Sequence, residues 1–265
     1  MILAGGRSEQ GNAEHRYLVG QFLERFGDQV QLVVTAQAPV SPLYIRLQRM
    51  IKRGSYRERL NRAIYGGSLG PAAAEIQTLL LPEEAQPQMP GAEKVFVVPS
   101  HNSEACRDLI YNVRPCVIVV YGTPIISSTI SNLSRLVTLN MHTGLSPYYR
   151  GDSTLFWPVF FNEPDRLGVT VHKLEDSIDA GDIACTAPVI YTAGDSEAHL
   201  FAKAVKIGTA LYLDTVERAL AGTLQCTPQD LSLGREFRWM DRTVAAEREV
   251  VARLHQWKSD AKVSA

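Results

Sequence analysis

The sequence predicts an α/β protein, with an open, mostly parallel, Rossmann-like sheet covered by helices on both faces and a short C-terminal α+β extension. Three observations predict it. Short β-branched runs at 117–120, 136–139 and 168–171 are each followed at once by polar or glycine-bearing residues, the pattern of strands whose carboxyl-end loops carry chemistry. The chain opens on a strand, a glycine-bearing turn, a helix and a second strand, the β-loop-α-β start of a wound fold. At 265 residues and 45% hydrophobic content it can bury a sizeable core, as one large domain or as a domain with a small appendage.

The elements follow in order. Met1 to Ala4 is an apolar run ending in Gly5-Gly6. Tyr17, Leu18, Phe22 and Phe26 recur at helical spacing over 15–26, Gly27 stops that helix, and 31–35 reads as the next strand. From 41 to 67 the character changes. Leu43, Tyr44, Leu47, Met50 and Ile51 lie at helical spacing among Arg46, Arg49, Lys52, Arg53, Arg57, Arg59 and Arg62, against the single acid Glu58. This basic helical insert reads equally as a solvated face and as a patch for an anionic acceptor, an acidic carrier protein or a membrane surface. A helix is expected over 72–81, a Pro, Gln and Glu rich loop over 82–91 and a strand over 94–98. His101-Asn102-Ser103 then offers an N-cap to a helix carrying Cys106, Leu109 and Ile110. After a loop at 148–151, Asp152 or Ser153 is expected to cap a helix with the apolar stripe Leu155, Phe156, Val159 and Phe160. A last strand is expected over 188–191, then a long helix from Asp195 or Ser196 to about 221, extended pieces over 224–230 and 237–240, and a closing helix over 244–257. The expected division is a catalytic domain over 1–222 and a small extension over 223–265.

Composition narrows the function classes. A net charge of −1 offers no general attraction to nucleic acid, so no nucleic-acid partner is expected. Cys106, Cys116, Cys185 and Cys226 are widely spaced and form no metal-type pair, so reduced cysteines and no metal site are expected. No stretch reaches the length of a membrane span, and the first residues lack a charged region followed by a long apolar run. A reducing cytoplasm is the simplest home.

The chemistry is concentrated between 121 and 182. Asn140 and His142 are two apart, so on an extended strand their side chains point the same way, a carboxamide and an imidazole facing one pocket. Asp179, 37 residues past His142, lies in a glycine-bounded loop, far enough along to return from a crossover helix and meet the histidine. Such a set suits acyl transfer to an amine. Asn140 N–H and His142 stabilise the oxyanion, while Asp179 tunes His142 and accepts protons. No covalent nucleophile stands beside the histidine.

The run Asn140-Met-His142-Thr-Gly-Leu-Ser-Pro-Tyr-Tyr-Arg150-Gly151, followed by Gly-Val-Thr-Val-His172 and Ile-Asp179-Ala-Gly-Asp182-Ile, resembles the folate-dependent formyltransferase family over about residues 95–190. That family includes methionyl-tRNA formyltransferase, glycinamide ribonucleotide transformylase and sugar N-formyltransferases. The resemblance implies the formyltransferase fold and 10-formyltetrahydrofolate as formyl donor. It implies that backbone groups of Tyr121, Gly122, Thr123, Ile125 and Ile126 follow the pterin, and that Asp176 belongs to a loop over the folate. It also implies that Gly6 and Arg7 border the acceptor site, and that Arg150 borders the cleft near phosphate or folate glutamate. His101, at the end of its strand, reads either as reaching an acceptor or as a plain loop histidine. His172 reads as a partner of Asp179 or as a buried structural histidine, and Asp182 as pinning the turn after the aspartate.

A methionyl-tRNA formyltransferase is expected to continue into a basic β-barrel domain, so a small-molecule amine is the expected acceptor, first of all a nucleotide-linked amino sugar. Formylation of a hydroxyornithine-like amine and hydrolysis of 10-formyltetrahydrofolate stay open, because the same residues serve both. Leu3-Ala-Gly-Gly-Arg7 also resembles the opening of sugar nucleotidyltransferases, which require Mg²⁺ and carboxylate ligands. Whether the C-terminal pieces form a homodimer interface is left open.

Overall fold

The computed structural model describes residues 1–5, 10–37, 60, 64 and 71–263. The expected basic insert at 41–67 therefore lies outside the described residues, Leu60 and Ile64 apart, as do Gly6 and Arg7. The strands are β1 (Ile2–Ala4), β2 (Val33–Ala36), β3 (Val95–Val98), β4 (Val117–Tyr121), β5 (Val137–His142), β6 (Tyr149–Gly151), β7 (Gly168–Lys173), β8 (Ile183–Pro188) and β9 (Arg235–Phe237). Among the described residues seven of them form one sheet in the order β3-β2-β1-β4-β5-β7-β8, and β6 pairs with β9 apart from it. The pairs from β3 to β5 are parallel, whereas β5–β7 and β7–β8 are antiparallel.

The helices are α1 (Ala13–Phe26), α2 (Ala73–Leu80), α3 (Glu104–Val113), α4 (Ser128–Ser131), α5 (Phe156–Phe160), α6 (Glu197–Leu220) and α7 (Val244–Val263). Period-two alternation along β1 and β4 sorts side chains to two faces. Ile2, Ala4, Val117 and Val119 pack with Leu18 and Phe22 of α1, Ile76 and Leu80 of α2 and Tyr212 of α6. Leu3, Ile118 and Val120 pack with Cys106 and Ile110 of α3 and Ile130 of α4. Both faces being covered, the central strands read as continuous apolar runs. A third cluster joins Phe156 and Trp157 of α5, Val169 of β7 and Leu200 of α6 to Ala246, Val250 and Trp257 of α7.

Local chemistry sets the ends. Gly27 closes α1 at φ +51, where a side chain would be strained. Ser103 caps α3 by accepting from Cys106 N, and Ser196 opens α6 in a capping box with His199. Tyr212 of α6 reaches the seam between β4 and β5, where its hydroxyl accepts from Val120 N at 2.9 Å and donates to the Leu139 carbonyl at 2.5 Å.

Several expectations need correcting. The strand expected over 188–191 is instead β8 at 183–188, because Ala184, Thr186 and Ala187 are too small to print an alternation. No crossover helix separates His142 from Asp179. The chain passes through β6 and the single turn of α5, then returns on β7 antiparallel to β5, leaving Asp179 in the β7–β8 turn. Neither Asp152 nor Ser153 caps α5, whose N-cap is Leu155. Asp152 Oδ2 instead accepts from Trp239 N at 3.0 Å. Of the two extended pieces after α6, the first is a single antiparallel bridge between Thr227 and Ile183, and the second is β9, two residues earlier than expected. No helix among the described residues is long and apolar enough to cross a membrane.

Candidate active site

Asn140 and His142 occupy the carboxyl half of β5, pointing to one face, and His172 comes from β7 directly opposite Asn140 in the ladder. Asp179 approaches all three from the β7–β8 turn, in a left-handed conformation at φ +47 that aspartate tolerates better than most residues. Its Oδ2 accepts from Gly151 N at 2.9 Å and lies 3.3 Å from His142 Nδ1, while its Oδ1 lies 3.5 Å from both His172 Nε2 and Asn140 Nδ2. Asp179 keeps only 14% side-chain exposure. Burial pushes its carboxyl up, but the charges of His142 and His172, the His172 hydrogen bond and the Gly151 N–H outweigh that and hold it well below the usual carboxylate range. Asp179 is an anion throughout the neutral range.

The neighbours fix the ring orientations. His172 Nδ1 faces the Lys173 carbonyl at 2.7 Å and so carries hydrogen, while its Nε2 stands 3.1 Å from Asn140 Nδ2 and 3.5 Å from Asp179 Oδ1. Asn140 therefore turns its NH₂ toward the carboxylate, as the alternative would set oxygen against oxygen. His142 Nε2 donates to the Tyr149 carbonyl at 2.9 Å. Standing between a carbonyl and a carboxylate, that ring is placed to donate on both sides. Gly144 makes room for it, since a Cβ there would lie 2.5 Å from His142 Nε2.

The remaining candidates divide. Tyr121 follows Val120, the β4 partner of Asn140, so the 122–127 loop starts beside the carboxamide. Gly122 is exposed at φ +61 and Ile125 is 67% exposed, whereas Tyr121 and Ile126 are buried, so the latter two can offer only backbone to a ligand. Thr123 is half-buried, and Asp176 is exposed in the loop ahead of Asp179. Arg150, on β6, keeps Nε buried with no hydrogen-bond partner among the described residues. His101 is not at an open surface. It is buried, with Nε2 donating to the Val34 carbonyl at 3.2 Å. Burial lowers its pKa, outweighing that bond. Asp182 pairs with Lys173 Nζ at 2.9 Å and accepts Lys173 N on its own carbonyl, closing the turn that carries Asp179.

One residue at the site was read from sequence only as part of a cap. Asn102 spans the 125–127 loop with both ends of its amide, Nδ2 donating to the Ile125 carbonyl and Oδ1 accepting from Ser127 N, each at 2.8 Å. The adjacent Ser103 cap hid that role, since an Asn before a helix is ordinarily explained by the helix alone. Among the described residues no group of three or more His, Cys, Asp and Glu is placed to hold a metal.

The sequence model of the formyl transferase family matches residues 71–216, more than half of the chain and the whole of the Asn140, His142, His172 and Asp179 cluster. The chain belongs to the formyl transferase family. Among curated relatives, the methionyl-tRNA formyltransferase of Lachnospira eligens is 31% identical over 212 residues, covering 77% of this chain and 62% of that protein. The chain thus spans less than two thirds of the length of such relatives. Among solved structures, the N-formyltransferase of Helicobacter canadensis, in complex with folinic acid and dTDP-3-aminofucose, superposes with a TM-score of 0.59 at 14% identity, over 96% of this chain and 79% of that one. A sugar N-formyltransferase from a Shewanella species gives a TM-score of 0.58 at 13% identity, over 96% and 87%. At these identities the structural likeness shows the formyltransferase fold.

Proposed function

We propose that the protein transfers a formyl group from 10-formyltetrahydrofolate to the primary amine of a small molecule, and that the amine belongs to a nucleotide-linked amino sugar. The observation that carries this reading is the convergence of Asn140, His142, His172 and Gly151 N–H on the one ionised carboxylate of Asp179, within a chain of this family. The residues fit a flat donor lying along the 122–127 loop. Ile125 offers exposed apolar surface, and Asn102 holds the loop's backbone in place. The donor supplies the electrophilic formyl carbon.

The chain's own groups then act around that carbon. Of the two Asn140 amide hydrogens, the one toward Asp179 is held only at 3.5 Å and can be shared with a formyl oxygen brought beside the carboxylate. His142 stands beside it with Nε2 on the Tyr149 carbonyl and Nδ1 on Asp179, so a bond from its ring to the oxyanion replaces one of these partners. Asp179 orients and polarises the two imidazoles, and the proton that the attacking amine gives up passes through this cluster to the folate N10 as its bond to the formyl carbon breaks. The amino-sugar acceptor is supported by the resemblance, across 96% of this chain, to the Helicobacter canadensis protein solved with such a ligand. The acceptor of the curated relatives, methionyl-tRNA, is the second reading, favoured by their 31% identity.

Purified protein with 10-formyltetrahydrofolate, followed by tetrahydrofolate release, tests all of this. Nucleotide-linked amino sugars and methionyl-tRNA are supplied in turn. Release that requires an amino sugar is expected. Release with methionyl-tRNA alone assigns the second acceptor, and release without any amine assigns a hydrolase. His142→Ala and Asp179→Asn should each lower transfer by about 10² or more while leaving the fold intact. Near wild-type turnover in either overturns the assigned roles.

A further inference from the structure

The family match ends at residue 216, so the segment 227–237 lies beyond it, yet that segment grips the site from two sides. Thr227 and Ile183 exchange backbone hydrogen bonds of 2.8 Å in both directions, docking the segment on β8. Two residues on, Gln229 Nε2 donates to the carbonyls of Asp179 at 3.0 Å and of Gly181 at 2.5 Å. A carboxamide nitrogen carries two hydrogens, so one side chain satisfies both carbonyls at once. Those carbonyls bracket the turn in which Asp179 takes its left-handed conformation. Farther along, β9 pairs with β6 from Tyr149↔Arg235 to Gly151↔Phe237, and β6 supplies the Gly151 N–H that meets the Asp179 carboxylate.

We propose that Gln229 is a positioning residue for Asp179, fixing the turn so that the carboxylate meets Gly151 N–H, His142 and His172 together. The proposal rests on the reading of Asp179 as part of the transfer site. Without the two N–H donors, the carbonyls of 179 and 181 turn toward water and the residue between β7 and β8 relaxes to a commoner backbone conformation. Rotation about the Asp179 Cα then carries the carboxylate away from its partners. A displacement of about 1 Å in a positioned group costs on the order of 10²-fold in rate.

The test uses the full chain and a readout that needs no acceptor, the hydrogen exchange of the Gly151 amide measured by NMR. Gln229→Met keeps the length and apolar stem but has no donor, and Gln229→Lys returns donors of similar reach. In the Met variant, Gly151 is expected to exchange about tenfold faster, the equivalent of one hydrogen bond, with the β1 and β4 amides unchanged. The Lys variant should keep more of the protection than the Met variant, an order that packing alone would reverse. Where transfer is measurable, the Met variant should lose about 10- to 100-fold in kcat, with the KM for 10-formyltetrahydrofolate within about twofold. Unchanged Gly151 exchange in the Met variant, or equal loss in both, overturns the proposal. Should the Met variant not fold, Gln229→Glu sets acceptors against both carbonyls and must release Gly151 as well. A wild type that turns over no folate sinks the transfer reading while leaving the Gly151 result to decide the role of Gln229.

Discussion

Replacing Tyr212 by phenylalanine isolates one hydroxyl at the seam on which the site is built. Tyr212 is fully buried, and the substitution keeps its ring and the edge-on contact with Phe22 at 5.5 Å between centroids. Removing the hydroxyl leaves Val120 N–H and the Leu139 carbonyl without their partner in a dry interior. Burial raises the Tyr212 pKa well above the ordinary range, more than the Val120 hydrogen bond lowers it, so the hydroxyl is present as a donor at any assay pH. An orphaned buried polar group costs about 1–3 kcal/mol, and two sharing one relaxing seam should together cost about 2–4 kcal/mol. For a chain of this size, that lowers Tm by roughly 4–16 °C. Equilibrium urea unfolding checks it, with a lower midpoint and an unchanged slope. Leu139 precedes Asn140, and Val120 pairs with it, so turnover should fall as well. A loss below about 0.5 kcal/mol at constant slope would refute the reasoning, since that is the ordinary size of an inconsequential surface change.

Two further outcomes are expected. Because Asp179 is held below its ordinary value, its ionised form stabilises the folded state; that contribution is complete above the unfolded value near 3.9 and is lost as pH falls through the folded one. Urea unfolding of wild type and Asp179→Asn across pH should therefore show curves that stand apart near neutrality and converge below about pH 4, and a constant gap would contradict the assignment. Asn102→Ala removes the clamp on the 125–127 loop and should raise the KM for the formyl donor about 3- to 10-fold with kcat little changed. A change confined to kcat would place the effect elsewhere.

The central strands were legible because each is buried on both faces and therefore writes itself as an unbroken β-branched run. Asn140, His142 and Asp179 were legible because a two-residue spacing on a strand and a glycine-bounded loop carry geometric meaning even before the fold is known. The direction of β7 was not. A strand reads the same in either sense, and the short α5 between β6 and β7 does not betray that the return is antiparallel. Strand β8 was displaced because its small residues show no period, and Gln229 was invisible because a half-buried glutamine in a loop has no pattern until its two carbonyl partners are known. His101 was misjudged for the opposite reason: a polar residue at a strand end suggests an open surface, and only the fold folds it under the Val34 carbonyl.

The pairing of β6 with β9 also orders events in time. Asn140, His142 and Asp179 are all present once β8 has been made, but β6 reaches its final register only when residue 237 has left the ribosome and closed against Gly151. At synthesis rates of about 5–20 residues per second, the nascent chain holds these three side chains for some seconds before the cluster around Asp179 is finished. Completion of the Asp179 cluster should therefore be a late and abrupt step in biosynthesis, after most of the sheet has condensed.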